Sequence, residues 1–182
     1  GAGGEIEKYL KSIPNIKLIS MDISSKTKPD IIADISDEKF LKKIKVKPDY
    51  ITCFEVLEHV KEPFKAIQNL FKLSTKKTVL LFSVPFIFPI HEEPNDFYRY
   101  TKYGLKYIFK DFSKVEITNR DGFIDNIFVL SVRLKFSKNY LLKLYAVISI
   151  FLYFTLFPLI KLIQFFIKFE NITTGYLIKV KK

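Results

Sequence analysis

Five consecutive β-forming residues, Tyr50, Ile51, Thr52, Cys53 and Phe54, break without a spacer into the charged stretch Glu55-Val56-Leu57-Glu58-His59-Val60. Such a run reads as a buried central strand feeding a helix start. Ligands of open α/β sheets bind outside the carboxyl ends of the strands, which sets Phe54, Glu55, Glu58 and His59 at the mouth of a site. On these residues alone, a buried strand followed by a turn and a solvated helix start reads equally well.

The chain on either side repeats the alternation. Residues 5–13 carry Ile6, Leu10 and Ile13 at helical spacing, and residues 16–22 form a short apolar run ending in Asp22. A third strand is expected over residues 29–34, then a short helix over residues 38–44 with Phe40, Leu41 and Ile44 turned inward. Glu62-Pro63 suits a helix start, and Phe64, Ile67, Leu70 and Phe71 follow as its apolar face. Residues 78–84 are apolar almost throughout, as in a strand covered on both faces. This rhythm predicts a parallel sheet with right-handed crossovers. Residues 114–118 add a strand, and residues 174–181 alternate as an antiparallel one that closes the sheet.

Gly1-Ala2-Gly3-Gly4 runs directly into the first helix, so main-chain N–H groups can approach a ligand closely. Asp22 stands 19 residues after Gly3, the distance at which Rossmann-type sites place an acid for ribose hydroxyls. A local Asx turn is the alternative role for Asp22. Taken in order, the glycine turn, Asp22, Asp34 and the 54–60 motif closely resemble the class I S-adenosylmethionine-dependent methyltransferases, in their type 11 and type 23-like branch. The resemblance implies a Rossmann-like, doubly wound and mostly parallel α/β sheet with an antiparallel last strand. It implies S-adenosylmethionine as cofactor, held by Gly1, Ala2, Gly3, Asp22, Ile23, Asp34, Ile35, Phe54, Glu55 and Val56. In that family a first strand precedes the glycine turn, so the expectation is a chain truncated at its amino end, with that strand missing.

Residues 85–101 hold three prolines together with His91, Asp96, Tyr98 and Arg99, a composition that marks a functional loop. The segment resembles the one that closes over the substrate side in one branch of the family, which implies that Asp96, Tyr98 and Arg99 face the acceptor. The local alternative pairs Asp96 with Arg99 and uses Thr101 as a helix cap. A hydroxyl acceptor must lose a proton, and the two histidines, His59 and His91, are the candidate bases. No metal ligands are assigned.

Two rival readings exist. Tyr98 and Lys102 fit the Tyr-x-x-x-Lys pattern of NAD-dependent short-chain dehydrogenases, but this tyrosine follows a proline-rich loop and lies too close to the glycines. The other rival is a non-catalytic, membrane-associated domain that keeps the fold.

The net charge of +11 comes from lysines scattered along the chain with only three arginines, so no nucleic-acid partner is expected; the acceptor is read as a small molecule or glycan. A single cysteine, Cys53, excludes an internal disulfide and fits a cytoplasmic setting. Residues 144–160 carry no charge, and with residues 162–167 they form a long apolar run whose one charge is Lys161. A spanning helix there would separate the closing strand from its sheet. The stretch 123–170 is therefore expected to be a helical insertion between a core of residues 1–122 and a closing strand of residues 171–182. It either packs on the domain or touches the inner face of a membrane through residues 144–167, with Lys135, Lys138, Lys143, Lys161 and Lys168 available to headgroups; a soluble cap or a dimer interface is the alternative.

Overall fold

The computed structural model describes residues 5–166 and 172–182. Gly1, Ala2, Gly3, Ile167, Lys168 and Asn171 lie outside the described residues. In chain order the elements are α1 (Glu5–Ser12), β1 (Met21–Asp22), β2 (Ile31–Ile32), β3 (Tyr50–Phe54), α2 (Pro63–Leu73), β4 (Val79–Pro85), α3 (Lys102–Ile108), β5 (Lys114–Asn119), α4 (Phe123–Arg133), α5 (Tyr140–Thr155), α6 (Phe157–Phe166) and β6 (Gly175–Lys181).

Strands β1 and β2 pair in parallel as a two-stranded sheet. The larger sheet has the order β3-β4-β6-β5, with β3 parallel to β4 and β6 antiparallel to both β4 and β5. The fold is thus the expected α/β arrangement with an antiparallel closing strand.

Register fixes which side chains share a face. Ile51 and Cys53 of β3 stand beside Leu80 and Phe82 of β4, which stand beside Val180 and Ile178 of β6, with Val115 and Ile117 of β5 completing the row. This face forms the core against Ala66, Ile67, Leu70 and Leu73 of α2 and against Leu105, Ile108 and Phe109 at α3. Phe82 meets Phe109 at 4.9 Å between ring centroids.

Several expectations are corrected. β3 pairs only with β4 among the described residues, so it is an edge strand rather than a central one, and Tyr50 and Thr52 on its outer face are exposed. The apolar run of β4 is not covered on both faces: Val79 and Leu81 are half-buried beside the exposed Lys181 and Lys179 of β6. Phe64 does not face the core. It lies about half exposed and packs edge-on against Tyr107, because the helix phase is set by Ala66, Ile67 and Leu70. α1 buries none of its residues, and Ile6 is half exposed. β1 and β2 keep only two residues each because the Asp30 carboxylate, rather than a ladder partner, accepts the Ser20 main-chain N–H at 2.7 Å and its hydroxyl at 2.8 Å.

After β5 the chain enters α4, α5 and α6 before returning to β6. Asn126 of α4 is buried and ties this unit to the core, donating to the Ile172 carbonyl at 2.6 Å and accepting from the Thr174 N–H at 2.8 Å. Only Ala146 of α5 is buried, while Leu144, Tyr145, Val147, Ile148, Phe151, Leu152 and Phe154 are exposed. No helix among the described residues is long and apolar enough to cross a membrane; α5 and α6 reach that measure only as a pair bent by 73°.

Candidate active site

β3 ends at Phe54, and Glu55 takes the left-handed conformation with φ of 49°. A non-glycine residue there stores strain of about 1–3 kcal/mol, which persists only when its surroundings hold it. Here Ser83 and Arg120 do so. The Glu55 N–H donates to the Ser83 carbonyl at 3.0 Å, and its carboxylate accepts from Ser83 Oγ at 2.8 Å and Arg120 Nη2 at 2.9 Å. The chain then makes a single 3₁₀ turn over Leu57–His59.

That turn is clamped by the loop after β4. The main-chain oxygen of Glu58 accepts from the N–H groups of Phe97 and Tyr98 at 2.9 and 3.2 Å. The Tyr98 hydroxyl donates to the Lys61 carbonyl at 3.0 Å and the Tyr100 hydroxyl to the Leu57 carbonyl at 2.9 Å, with the two rings stacked. The Glu58 side chain is driven inward by the same turn. It is fully buried, and neither carboxylate oxygen has a hydrogen-bond partner. Burial pushes its carboxyl up to about 7, against its own main-chain N–H and the charges of His59 and Arg99, and with the help of the Glu55 charge.

Both histidines converge on this carboxylate. His59 Nε2 lies 3.6 Å and His91 Nε2 3.9 Å from Glu58 Oε1, and the two rings meet edge to face at 4.9 Å. The opposite ring nitrogens are held by acceptors. His59 Nδ1 is 2.8 Å from the Asn95 carbonyl, and His91 Nδ1 is 3.3 Å from both the Pro89 carbonyl and Asp96 Oδ2. Asp96 also accepts the His91 main-chain N–H at 3.0 Å and forks onto Arg99 at 2.5 and 2.7 Å. The Arg99 hydrogen bonds hold the Asp96 carboxyl well below the usual carboxylate range. Phe88, Asp96, Phe97, Tyr98 and Arg99 line a shallow depression of about 210 Å³ beside the histidines. Phe88 lies edge-on to His91 at 5.3 Å and under the Arg133 guanidinium at 4.5 Å, which links the loop to α4.

The structure therefore brings His59, His91, Asp96, Tyr98 and Arg99 together. Asp22 and Asp34 sit at or just past the carboxyl ends of the parallel strands β1 and β2, and Phe54, Glu55 and Val56 at that of β3. Asp22 Oδ1 accepts from the Ser24 N–H at 2.9 Å, so the Asx turn forms, and Asp34 makes the equivalent bond to Ser36 at 2.8 Å. Ile23 is exposed and Ile35 packs against the core. Cys53 is buried in β3, and burial pushes its thiol up to about 12, which removes it as a nucleophile. Sequence reasoning placed Glu58 at the mouth of the site without a role and missed Ser83, Asn95 and Arg120. The run Glu58-His59 within one tight turn was a usable signal, whereas Arg120 reaches Glu55 across 65 residues with no local trace.

Residues 1–119 match the family model described as a methyltransferase domain. The chain belongs to this family, within the S-adenosylmethionine-dependent class. A comparison with curated proteins finds no match. Among solved structures, a SAM-dependent methyltransferase from Archaeoglobus fulgidus aligns with a TM-score of 0.60 at 16% identity, covering 100% of this chain and 82% of that one. The plantazolicin methyltransferase BamL, in complex with a triazolic desmethylPZN analog and SAH, aligns with a TM-score of 0.55 at 13% identity, covering 97% and 72%. At these identities the likenesses concern the fold.

Proposed function

We propose that this chain is a methyltransferase that moves a methyl group from S-adenosylmethionine to a small-molecule or glycan acceptor docked at the loop of residues 86–101. The observation that carries the reading is the convergence of Glu58, His59 and His91 beside the depression lined by Asp96, Tyr98 and Arg99, in a chain of this family. Bound S-adenosylmethionine would supply an electrophilic methyl on a sulfonium and leave as the neutral thioether. The donor set fits such a group. Carboxylates at the ends of β1 and β2, on Asp22 and Asp34, suit ribose hydroxyls and the adenine side, and the held turn at Glu55 presents main-chain groups at the end of β3. Asp96, Tyr98 and Arg99 orient the acceptor, and the proton of a hydroxyl acceptor leaves toward the His59 and His91 cluster.

Calorimetric titration of the full chain with S-adenosylmethionine, S-adenosylhomocysteine and NAD tests this. The expected result is saturable binding of the first two alone, weakened at least tenfold in Asp22→Ala. Binding of none of them removes the reading, and binding of NAD alone transfers it to the dehydrogenases.

A second element of the proposal is peripheral membrane contact through the α5 and α6 pair. Apolar residues exposed on the side of α5 turned away from α4, with Lys135, Lys138, Lys143 and Lys161 around them, support it. Cosedimentation with anionic vesicles, lost in the double substitution Phe151→Asp and Phe154→Asp, is the expected outcome. Equal sedimentation of the double variant would count against it.

A further inference from the structure

The geometry points to a divalent transition-metal site formed by Glu58 Oε1, His59 Nε2 and His91 Nε2. These three ligand atoms lie within 4.8 Å of one another, and no other group of three or more such ligands is found among the described residues. The contacts at 3.6 and 3.9 Å are too long for hydrogen bonds. They are close to the roughly 3.4 Å that separates two ligands of a tetrahedral ion bound at about 2.1 Å.

The surroundings are those of a ligand set. A carbonyl only accepts, so His59 must carry its proton on Nδ1 toward Asn95, which turns Nε2 with its lone pair to Glu58. His91 is oriented the same way by the Pro89 carbonyl and the Asp96 carboxylate, the second of these in turn fixed by Arg99. Metal-bound imidazoles are characteristically held through their second nitrogen in this manner. Facing both Nε2 atoms lies a fully buried carboxylate with no hydrogen-bond partner for either oxygen. Buried charge without a partner is costly, and an ion coordinated by all three groups satisfies it. Two imidazoles and one carboxylate favour Zn²⁺, Fe²⁺, Co²⁺ or Mn²⁺ over Mg²⁺ or Ca²⁺, which prefer oxygen donors. Three protein ligands leave a coordination position for an acceptor oxygen, and with both Nε2 lone pairs taken the ion itself would acidify that oxygen in place of the histidines acting as bases. That use of the ion rests on the methyltransferase reading, whereas the site itself does not.

The test is titration of the chelator-treated full chain with Zn²⁺ and Co²⁺, followed by calorimetry and by the visible absorption of bound Co²⁺. One ion per chain is expected, with a rise in melting temperature. Glu58→Gln keeps the shape of the side chain and removes the buried charge, so the metal-free protein should fold at least as well while affinity falls a hundredfold or more. His91→Ala should do likewise, and Asp96→Asn should weaken binding about 10- to 100-fold through loss of the positioned ring. Absence of saturable one-to-one binding in the wild type, or binding unchanged in both Glu58→Gln and His91→Ala, overturns the inference. S-adenosylmethionine binding, measured on the same samples in chelator, separates failure of the metal site from failure of the proposed activity.

Discussion

Arg120, just past the end of β5, donates to the carboxylate of Glu55, just past the end of β3, at 2.9 Å. Its guanidinium crosses over β6 and β4 to do so and gives a second bond to the Val84 carbonyl at 3.0 Å. Gly175 makes the passage: a Cβ at this position would fall on Arg120 Nη2 and on the Val84 oxygen. One arginine thus holds the strained Glu55 turn from the far edge of the sheet.

Gly175→Ala should therefore destabilise the protein by about 1–3 kcal/mol, through overpacking and displacement of Arg120. Arg120→Met should cost about 1–2 kcal/mol, the lower part of the range for charged hydrogen bonds because the Glu55 side chain is 37% exposed. The two changes share one partner, so the double variant should cost less than the sum by at least 0.5 kcal/mol in urea denaturation. Strict additivity would mean that Gly175 serves the backbone alone.

Asn126 provides a second test. It satisfies a main-chain carbonyl at Ile172 and a main-chain N–H at Thr174, and replacing it with alanine leaves both without a partner. Each orphaned main-chain group costs about 1–3 kcal/mol, so Asn126→Ala should lose roughly 2–6 kcal/mol of unfolding free energy. Asn126→Asp keeps the acceptor for Thr174 but sets a buried carboxylate oxygen against the Ile172 carbonyl, so at neutral pH it should cost at least as much as alanine.

What the sequence carried was what local pattern can carry. Strand β3, helix α2, the cap at Thr101 and the alternation of β6 all follow from propensity, apolar spacing or a side chain bonding its own neighbours, as Thr101 Oγ1 does with the Gly104 N–H at 3.0 Å. The edge position of β3 and the uncovered face of β4 were not legible, because period-two alternation says which residues share a face and not what covers it. The same holds for the site. His59 and His91 were selectable as the two histidines, yet their meeting over Glu58 depends on the loop after β4 folding back onto the 57–59 turn through the Phe97 and Tyr98 N–H groups.

Asp125 gives the helical unit a pH dependence. It lies on α4 and accepts from the Tyr153 hydroxyl of α5 and from Lys161 of α6 at 3.2 Å. Burial works against its charge, but the hydrogen bonds from Tyr153 and Lys161 outweigh it and hold the carboxyl below its ordinary value of 3.8. A carboxyl lowered by folding stabilises the protein above its unfolded value, and that contribution is lost as pH falls through the folded one. The stability gap between wild type and Asp125→Asn should accordingly be constant above about pH 5 and close below pH 3.8. Urea midpoints at pH 6, 4 and 3 measure it, and a gap that widens in acid would reverse the assignment.

The pair Asp96 and Arg99 should respond unequally to removal of either partner. The Asp96 side chain is 2% exposed and that of Arg99 24%, and Arg99 keeps bonds to the Tyr98 and Pro89 carbonyls at 2.9 and 3.1 Å without Asp96. Arg99→Met strands a buried carboxylate, a loss of about 3–5 kcal/mol at neutral pH. Asp96→Asn leaves a hydrogen-bonded and partly solvated guanidinium and should cost less. Joining the two substitutions removes the stranded charge, so the double variant should be more stable than Arg99→Met alone. Acid should act in the same direction: the wild-type carboxyl is held low, while in Arg99→Met it is freed to take a proton, so the gap between these two proteins narrows as pH falls from 7 to 4. Denaturation of the four proteins at both pH values decides it, and a cost for Asp96→Asn equal to or above that for Arg99→Met would show that Asp96 acts mainly through His91.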